Sequence, residues 1–283
     1  MLEVIEDTLI DSIKLLPFLF ITYLIMEYIE HRTSNKAKET IKKSGKFGPL
    51  IGSILGIVPQ CGFSVSATNL YAGRVITLGT LIAVYLSTSD EMIPVMISEA
   101  VPVSTILTIL LIKLVIGMIA GFIIDLVLKL LNKNQEEEKI EDICEKEHCH
   151  CEKGILKSAL HHTVHIFIFI LAVVFILNTV IYFIGEENIS HFLENQPVLG
   201  PVISSLIGLI PNCASSVIIT EMYLENVINI GTLIAGLLVN VGVGLVVLFK
   251  TNKGIKENIK IVAMLYAIGV ISGIIIQIIG ITI

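Results

Sequence analysis

Six long apolar blocks dominate the chain, and each is long enough to cross roughly 30 Å of hydrocarbon as an α-helix. The chain is 54% hydrophobic and only 16% charged, whereas ordinary soluble domains carry about 25% charged residues. The short alternating segments typical of outer-membrane barrels are absent. The sequence therefore predicts an all-α integral membrane protein. The blocks are residues 8–30, 74–98, 103–131, 157–184, 226–249 and 259–282.

A duplicated phrase is the second constraint on the fold. The stretch IVPQCGFSVSATNLY at 57–71 returns as LIPNCASSVIITEMY at 209–223, an offset of 152 residues. An ungapped alignment of 48–86 with 200–238 makes 19 of 39 positions identical, and GTLIA occurs in both copies. Agreement of this extent exceeds what shared composition produces, so the chain contains two copies of one unit.

The Lys and Arg content of the short loops predicts how the two copies face the membrane. The stretch 31–46 carries six Lys or Arg and 250–260 carries four, which favours the cytoplasmic side for both. The stretches 98–104 and 185–198 carry none, which favours the outside. Each half then contributes three transmembrane helices and one broken re-entrant helical hairpin, and because three is odd the two halves form an inverted repeat. Inverted repeats with broken helices are typical of secondary transporters.

This layout divides the chain into three parts. Residues 1–131 form membrane repeat 1, with a hairpin at about 47–72, and residues 157–283 form membrane repeat 2, with a hairpin at about 199–225. Residues 132–156 form an acidic loop rich in Cys and His, which we expect on the cytoplasmic side. Both termini are then expected on the external side.

The interruption within each hairpin predicts a polar site in the middle of the membrane. About 11 helical residues reach roughly 16 Å, half of the hydrocarbon, before Pro59 or Pro211 breaks the helix. Thiolates and amide oxygens at that depth are suitable ligands for a soft or borderline transition metal. The alternative is that the small and hydroxyl residues of the hairpins serve only close helix packing. The predicted ion-binding residues of the hairpins are Gln60, Cys61, Asn212, Cys213 and Glu221.

An acidic pair, Asp90 and Glu91, lies in YLSTSDEMIPVM at 85–96. The equivalent stretch of the second copy, LLVNVGVGLVVL at 237–248, is plainly transmembrane and contains Asn240 as a weaker polar candidate. The alignment therefore predicts the acidic pair inside or at the edge of a span, where ionisable residues usually mark a substrate or proton path. Because both residues are acceptors, they favour a cation. The alternative is a shorter span that leaves the pair in a loop near the external surface.

The loop between the halves concentrates possible metal ligands. Five nitrogen and sulfur donors fall within CEKEHCHC at 144–151. Their spacing is not that of a folded zinc finger, which favours a flexible metal-collecting or metal-sensing segment whose thiols stay reduced in the cytosol. The alternative is an acidic linker with incidental cysteines. The candidate ligands are Cys144, His148, Cys149, His150 and Cys151.

Two histidines open the fourth apolar block, in the stretch SALHHTVH. His161 and His165 lie four residues apart and share a helix face. We hypothesise that they relay metal or protons from the loop into the helix bundle. The alternative is that they lie in the cytoplasmic interface without that role.

The paired P-Q-C-G-F-S and P-N-C-A-S-S hairpins, the STSDE between them and the Cys/His loop resemble a ten-helix heavy-metal exporter family. Members of that family are labelled arsenic efflux protein or manganese transporter. The count of ten agrees when four half-helices are added to six spans. The resemblance implies efflux of a metal or metalloid across the inner membrane of a bacterial or archaeal cell. It carries ion binding over to positions 60–61, 90–91 and 212–213.

The leading functional hypothesis is a secondary transporter that exports a heavy-metal or divalent transition-metal cation in exchange for protons. Protonation of the ligands would release the ion, because thiols and carboxyls bind metal when deprotonated. The alternative is an arsenite or organoarsenical permease, because paired cysteines suit trivalent arsenic. The sequence contains no nucleotide-binding motif and no nucleophile–base arrangement, so neither an ATP-driven pump nor an enzyme is expected.

The expected partners follow from this hypothesis. They are the transported metal or metalloid ion, protons and the lipid bilayer. We expect no permanently bound cofactor and no nucleic acid, and homo-oligomerisation stays open.

Overall fold

All regular structure described for this chain is helical, which confirms the all-α prediction for that part of it. Residues 132–155 and most residues of the apolar blocks at 8–30 and 157–184 lie outside the described residues. The computed structural model describes residues 47–58, 61–89, 92–131, 199–252 and 254–280, with single helical residues between 13 and 24 and between 156 and 179.

The described helices range in length from 7 to 28 residues. They are α1 Gly48–Gly56, α2 Cys61–Ala72, α3 Leu78–Ser87, α4 Met92–Ser98, α5 Val103–Leu130, α6 Leu199–Gly208, α7 Cys213–Leu224, α8 Ile230–Val239, α9 Gly244–Thr251 and α10 Ile255–Ile279.

Four stretches of the described chain are long and apolar enough to cross a membrane. They confirm, by length and composition, four of the six predicted blocks. The blocks at 8–30 and 157–184 stay predictions. The four stretches are Leu78–Ser98 (α3 with α4), Val103–Leu130 (α5), Ile230–Thr251 (α8 with α9) and Ile255–Ile279 (α10).

The helix starts of the two halves correspond at the offset of the duplicated sequence. α2 and α7 begin at Cys61 and Cys213, and α3 and α8 begin at Leu78 and Ile230, 152 residues apart in each case. The correspondence extends beyond the aligned phrase to α4 with α9 and to α5 with α10. The two halves therefore repeat one order of helices across their whole described length.

Side-chain caps explain why equivalent helices begin where they do. The Thr77 Oγ1 accepts a hydrogen bond from the Thr80 amide at 3.1 Å, and the Asn229 Oδ1 accepts one from the Thr232 amide at 3.0 Å. These caps satisfy amide groups that have no partner inside the first turn of α3 or of α8. The same local chemistry thus starts the third helix of each half, although the capping residue differs.

Glycines bring the longest helix of each half into backbone contact with the helix before it. A Cβ on Gly121 of α5 would lie 2.6 Å from the Gly79 carbonyl oxygen of α3. A Cβ on Gly273 of α10 would lie 2.6 Å from the Gly231 carbonyl oxygen of α8. Close approach of helices at small residues is the common packing mode in membranes, where the hydrophobic effect does not drive helix association.

The contacts within the first half define the directions of its helices. Gly48 lies against Thr80, and Gly56 lies against Ser87, so α1 and α3 run in the same direction. Thr68 contacts Tyr85 across the short turn that joins α2 to α3, so those two helices run in opposite directions. Because α1 and α2 contact each other and run oppositely, they form a helical hairpin.

The two halves exchange contacts reciprocally. α2 packs against α9, its counterpart α7 packs against α4, and α3 packs against α8. Ser64 bonds to Val241, and Thr68, one turn further along α2, bonds to Gly244, which lies further along the second chain segment. Both segments therefore progress in the same direction, so α2 and α9 are parallel. Such an exchange is the arrangement expected of two copies related by a two-fold axis.

The stretch 237–248 lies in a span that is long and apolar enough to cross a membrane, as predicted, but this span is interrupted. The stretch 237–248 is not a continuous helix, because α8 ends at Val239 and α9 begins only at Gly244. Asn240 adopts an extended conformation with ψ of 96°, and Gly242 has φ of 59°. Glycine adopts positive φ without steric cost, so the V-N-V-G-V-G sequence permits a break that its high hydropathy conceals.

Candidate functional site

The break between α8 and α9 is satisfied by hydroxyl groups of the other half. The Ser64 hydroxyl donates to the Val241 carbonyl at 3.0 Å, and the Thr68 Oγ1 lies 3.2 Å from the Gly244 carbonyl oxygen. The Tyr85 hydroxyl lies 2.5 Å from the Thr68 Oγ1. Backbone that leaves the helical ladder at membrane depth needs such partners, so α2 and the break form one polar unit inside an apolar bundle.

Asn240 is the most unusual polar residue of this break. It is 4% exposed, and its Oδ1 accepts a hydrogen bond from the Gly242 amide at 3.1 Å. That bond fixes the orientation of the amide group, and its Nδ2 has no hydrogen-bond partner among the described residues. An unsatisfied buried donor costs about 1–3 kcal/mol, which makes Asn240 a candidate for contact with a transported species or its bound water.

The corresponding interruption of the first half contains a buried lysine. α3 ends at Ser87, and the carbonyl of the next residue, Thr88, accepts a hydrogen bond from the Lys113 Nζ. Lys113 is 1% exposed and lies in the middle of α5. A lysine at such a position is costly and usually functional. Its bond partner, the Thr88 carbonyl, lies two residues before Asp90 in the chain.

Sequence reasoning missed Lys113 although a signal was present. The residue is the only charge in the apolar run 103–124. An ionisable residue within a span is by itself a reason to suspect a functional site. Its equivalent in α10 is Leu265, which is also fully buried, so the charge is a feature of the first half alone.

The structure places only some of the predicted hairpin residues. Cys61 and Cys213 are the first residues of α2 and α7. Asn212 is 5% exposed and caps α7, because its Oδ1 accepts from the Ala214 amide at 3.1 Å. Glu221 lies on an exposed position of α7. The side chains of the two cysteines and the residues Gln60, Asp90 and Glu91 lie outside the described part.

The predicted metal-collecting residues are not tested by the structure. Within the described residues no group of three or more His, Cys, Asp or Glu is close enough to hold a metal ion. The candidate loop and relay ligands, Cys144, His148, Cys149, His150, Cys151, His161 and His165, all lie outside the described residues.

A second polar cluster, also missed by sequence reasoning, joins the halves at the far end of α2. The Tyr71 hydroxyl donates to the Glu257 Oε1, and the Arg74 Nη1 and Nη2 donate to the Glu257 Oε1 and Oε2 at 3.1 and 3.3 Å. The Arg74 guanidinium carbon lies 5.3 Å from the centroid of the Tyr71 ring. Burial lowers the pKa of Arg74, but Glu257 and Tyr71 together raise it by more, so the pKa lies above its usual value.

Broken helices, reciprocal packing of two similar halves and four stretches able to cross a membrane define a polytopic helical membrane protein. A family model described as "Putative, 10TM heavy-metal exporter" matches residues 1–184 and 155–282. Because these regions cover nearly all of the chain, the protein belongs to this family, which is one of membrane transporters for metal efflux rather than of enzymes. The predicted resemblance is thereby confirmed. No curated protein and no solved structure matches the chain.

Proposed function

We propose that this chain is a secondary transporter that exports a heavy-metal or divalent transition-metal cation across the cell membrane in exchange for protons. The observation that carries the proposal is the reciprocal docking of each hairpin helix on the interrupted span of the other half. This arrangement brings Ser64, near the start of α2, against the unwound backbone at Val241. Secondary transporters bind ions at such places.

An inverted repeat with re-entrant hairpins is the membrane arrangement that we propose for this fold. α2 runs opposite to α3, and α9 runs parallel to α2. Since α9 is the counterpart of α4, which continues α3, the equivalent spans of the two halves point in opposite directions. This argument rests on helix contacts alone, and it agrees with the loop charges. Both termini then lie outside.

The binding site in this proposal lies between the two hairpin tips. Position 61 precedes Ser64 by one helical turn, and Ser64 donates to the backbone of the break at Val241. Helical spacing therefore puts position 61 on the face of α2 that meets the second half. Position 213 bears the same relation to Ser216 in α7. Two thiolates, with Asp90 and the amides of Gln60 and Asn212, would supply soft and hard donors to a transition metal.

Coupling to protons follows from the ligand chemistry. Thiols and carboxyls bind metal only when deprotonated, so a proton that arrives from outside displaces the cation and a cation that arrives from inside displaces the proton. In this proposal Asp90, Glu91 and Glu221 carry the protons. The Cys/His segment at 144–151 collects metal on the cytoplasmic side, and His161 with His165 leads it into the bundle.

The experiment that tests this function is whole-cell metal content by mass spectrometry across a panel of cations that includes arsenite. Cells would express the wild type, the double variant Cys61→Ser/Cys213→Ser, Asp90→Asn, or Cys144→Ser. We expect one cation to fall with the wild type and to recover with the double variant and with Asp90→Asn. Cys144→Ser is the matched control, because it removes a thiol from the loop and should keep basal export.

Two other outcomes would overturn the proposal. If only arsenic falls and Asp90→Asn still exports it, the chain is an arsenical permease, since a neutral arsenical needs no carboxylate. If no element changes, the chain does not export a metal. Inside-out vesicles test the coupling separately, because an imposed proton gradient should drive uptake of the identified cation and an uncoupler should abolish that uptake.

A further inference from the structure

The contact between Tyr71, Arg74 and Glu257, here called the latch, joins the two halves at one end of the bundle. Tyr71 and Arg74 belong to the first half, and Glu257 belongs to the first turn of α10 in the second half. Tyr71 is fully buried, and the Arg74 and Glu257 side chains are 17% and 34% exposed. A two-point bond between a guanidinium and a carboxylate in partly buried surroundings is both strong and geometrically specific.

The backbone of Arg74 shows that this contact has a conformational cost. Arg74 has φ of 56°, and its counterpart in the second half, Asn226, has φ of 60°. Asparagine adopts this left-handed conformation readily, whereas a long side chain such as arginine does so at a cost of about 1–2 kcal/mol. The first half thus places an arginine where the shape of the turn favours asparagine. The bonds from Arg74 to Glu257 compensate for this backbone cost.

The carboxylate side of the latch is held in place by its own neighbours. The Asn252 Nδ2 donates to the Asn258 Oδ1 at 2.6 Å, and the Asn258 Nδ2 donates to the Asn252 carbonyl at 2.9 Å. These bonds tie the end of α9 to the first turn of α10. Glu257 is therefore presented to Arg74 by a preorganised corner of the second half, and little side-chain freedom is lost when the latch forms.

The other end of the bundle cannot form the same contact. The counterparts of Arg74 and Glu257 are Asn226 and Thr105, which carry no charge. The counterparts of Asn252 and Asn258 are Ala100 and Ile106, so the supporting amides are missing there as well. Two halves that share most of their helix packing therefore differ in the bonds that close their ends.

We propose that the latch is a gate that holds closed the end of the bundle where α2 meets α10, and that its absence at the opposite end sets the resting state of transport. This inference rests on the proposed transport function. In a cycle that alternates between two nearly equivalent states, a contact made in only one of them shifts the population toward that state. A cation on the side of the 250–260 stretch, which carries four Lys, must then displace the latch before it enters.

The test uses a reporter that becomes reactive only when this end opens. Leu248 is fully buried in α9, and its carbonyl accepts from the Asn258 side chain behind the latch. Modification of Leu248→Cys by N-ethylmaleimide would be followed in membranes by peptide mass spectrometry, so that the native cysteines can stay. Arg74→Asn and Glu257→Thr copy the residues of the other half into the latch. Arg74→Asn also removes the backbone cost, so it should not unfold the turn.

Each variant should raise the labelling rate about tenfold, as expected for loss of one charged hydrogen-bonded pair. The double variant should raise the rate no further, because both substitutions break one contact. The charge-swapped pair Arg74→Glu/Glu257→Arg should restore slow labelling. Lys256→Gln is the matched control, since it removes an exposed charge next to Glu257 and should leave the rate unchanged.

Unchanged labelling in Arg74→Asn and Glu257→Thr, or strictly additive effects, would overturn the gate. Metal content of the same cells separates this failure from failure of the transport function. Export of a cation together with unchanged labelling refutes the latch and leaves the transporter standing. Faster labelling without any exported ion supports the latch as a gate and refutes metal export.

Discussion

Lys113 shows how a single residue distinguishes two halves that otherwise match. Its ammonium group donates to the Thr88 carbonyl, where α3 ends and the chain leaves the helical ladder. The equivalent position in α10 is Leu265, which is fully buried and offers no donor. The carbonyl at the first break therefore takes its donor from α5 of the same half, whereas the carbonyls at the second break take theirs from α2 of the other half.

Replacement of Lys113 by Met is the prediction at this scale. Met keeps the length of the side chain but removes the donor, so the Thr88 carbonyl loses its bond, at a cost of about 1–3 kcal/mol. We expect a lower melting temperature in detergent and loss of most metal export. Leu265→Met is the matched control at the equivalent buried position and should alter either measurement little. Equal effects of both substitutions would show that Lys113 acts only by filling space.

The close contact of α5 with the helices before it depends on a glycine. A Cβ added to Gly121 of α5 would lie 2.8 Å from the Pro49 Cβ of α1 and 3.0 Å from the Ala83 Cβ of α3. Gly121→Ala should therefore destabilise the bundle by about 1–3 kcal/mol, because a packed helix contact must open to admit the methyl group. The measurement is thermal unfolding in detergent. Ile119→Ala, at an exposed position of the same helix, should have a much smaller effect.

Hydropathy predicted the described spans well because length and composition decide whether a helix can cross a bilayer. It gave no sign of the break after Val239, because the whole span Ile230–Thr251 has a mean hydropathy of 2.4 and valines flank Asn240. Lys113 was missed for the same reason, because a single charge changes the mean hydropathy of a long apolar segment little. The latch joins positions 183 residues apart, and no local sequence pattern predicts a contact over such a distance. The starts of α2 and α7 at Cys61 and Cys213 agree with the repeated Pro-amide-Cys phrase, which is a strong local signal for a helix interruption.

At the scale of the whole molecule, reciprocal contacts make each half incomplete without the other. The surface of α2 that bears Ser64 and Thr68 is satisfied by backbone of the second half. The second half in turn packs α7 against α4 of the first half. A half expressed alone would expose these hydroxyls and the carbonyls of its break to lipid, which is costly. Co-expressed halves should therefore assemble and restore export, whereas either half alone should not accumulate.

The relation of this assembly to the membrane is tested at two equivalent positions, Ser104 in α5 and Lys256 in α10. They lie 152 residues apart, each near the start of its helix, and both are exposed. If the repeat is inverted, an impermeant thiol reagent added to whole cells labels Ser104→Cys and fails to label Lys256→Cys. The background would have all five native cysteines replaced by Ser. Labelling of both positions from outside would mean that the halves are parallel, and both hairpins would then open to the same side. Alternating access between the hairpin tips requires the opposite result, because each hairpin must open to a different compartment.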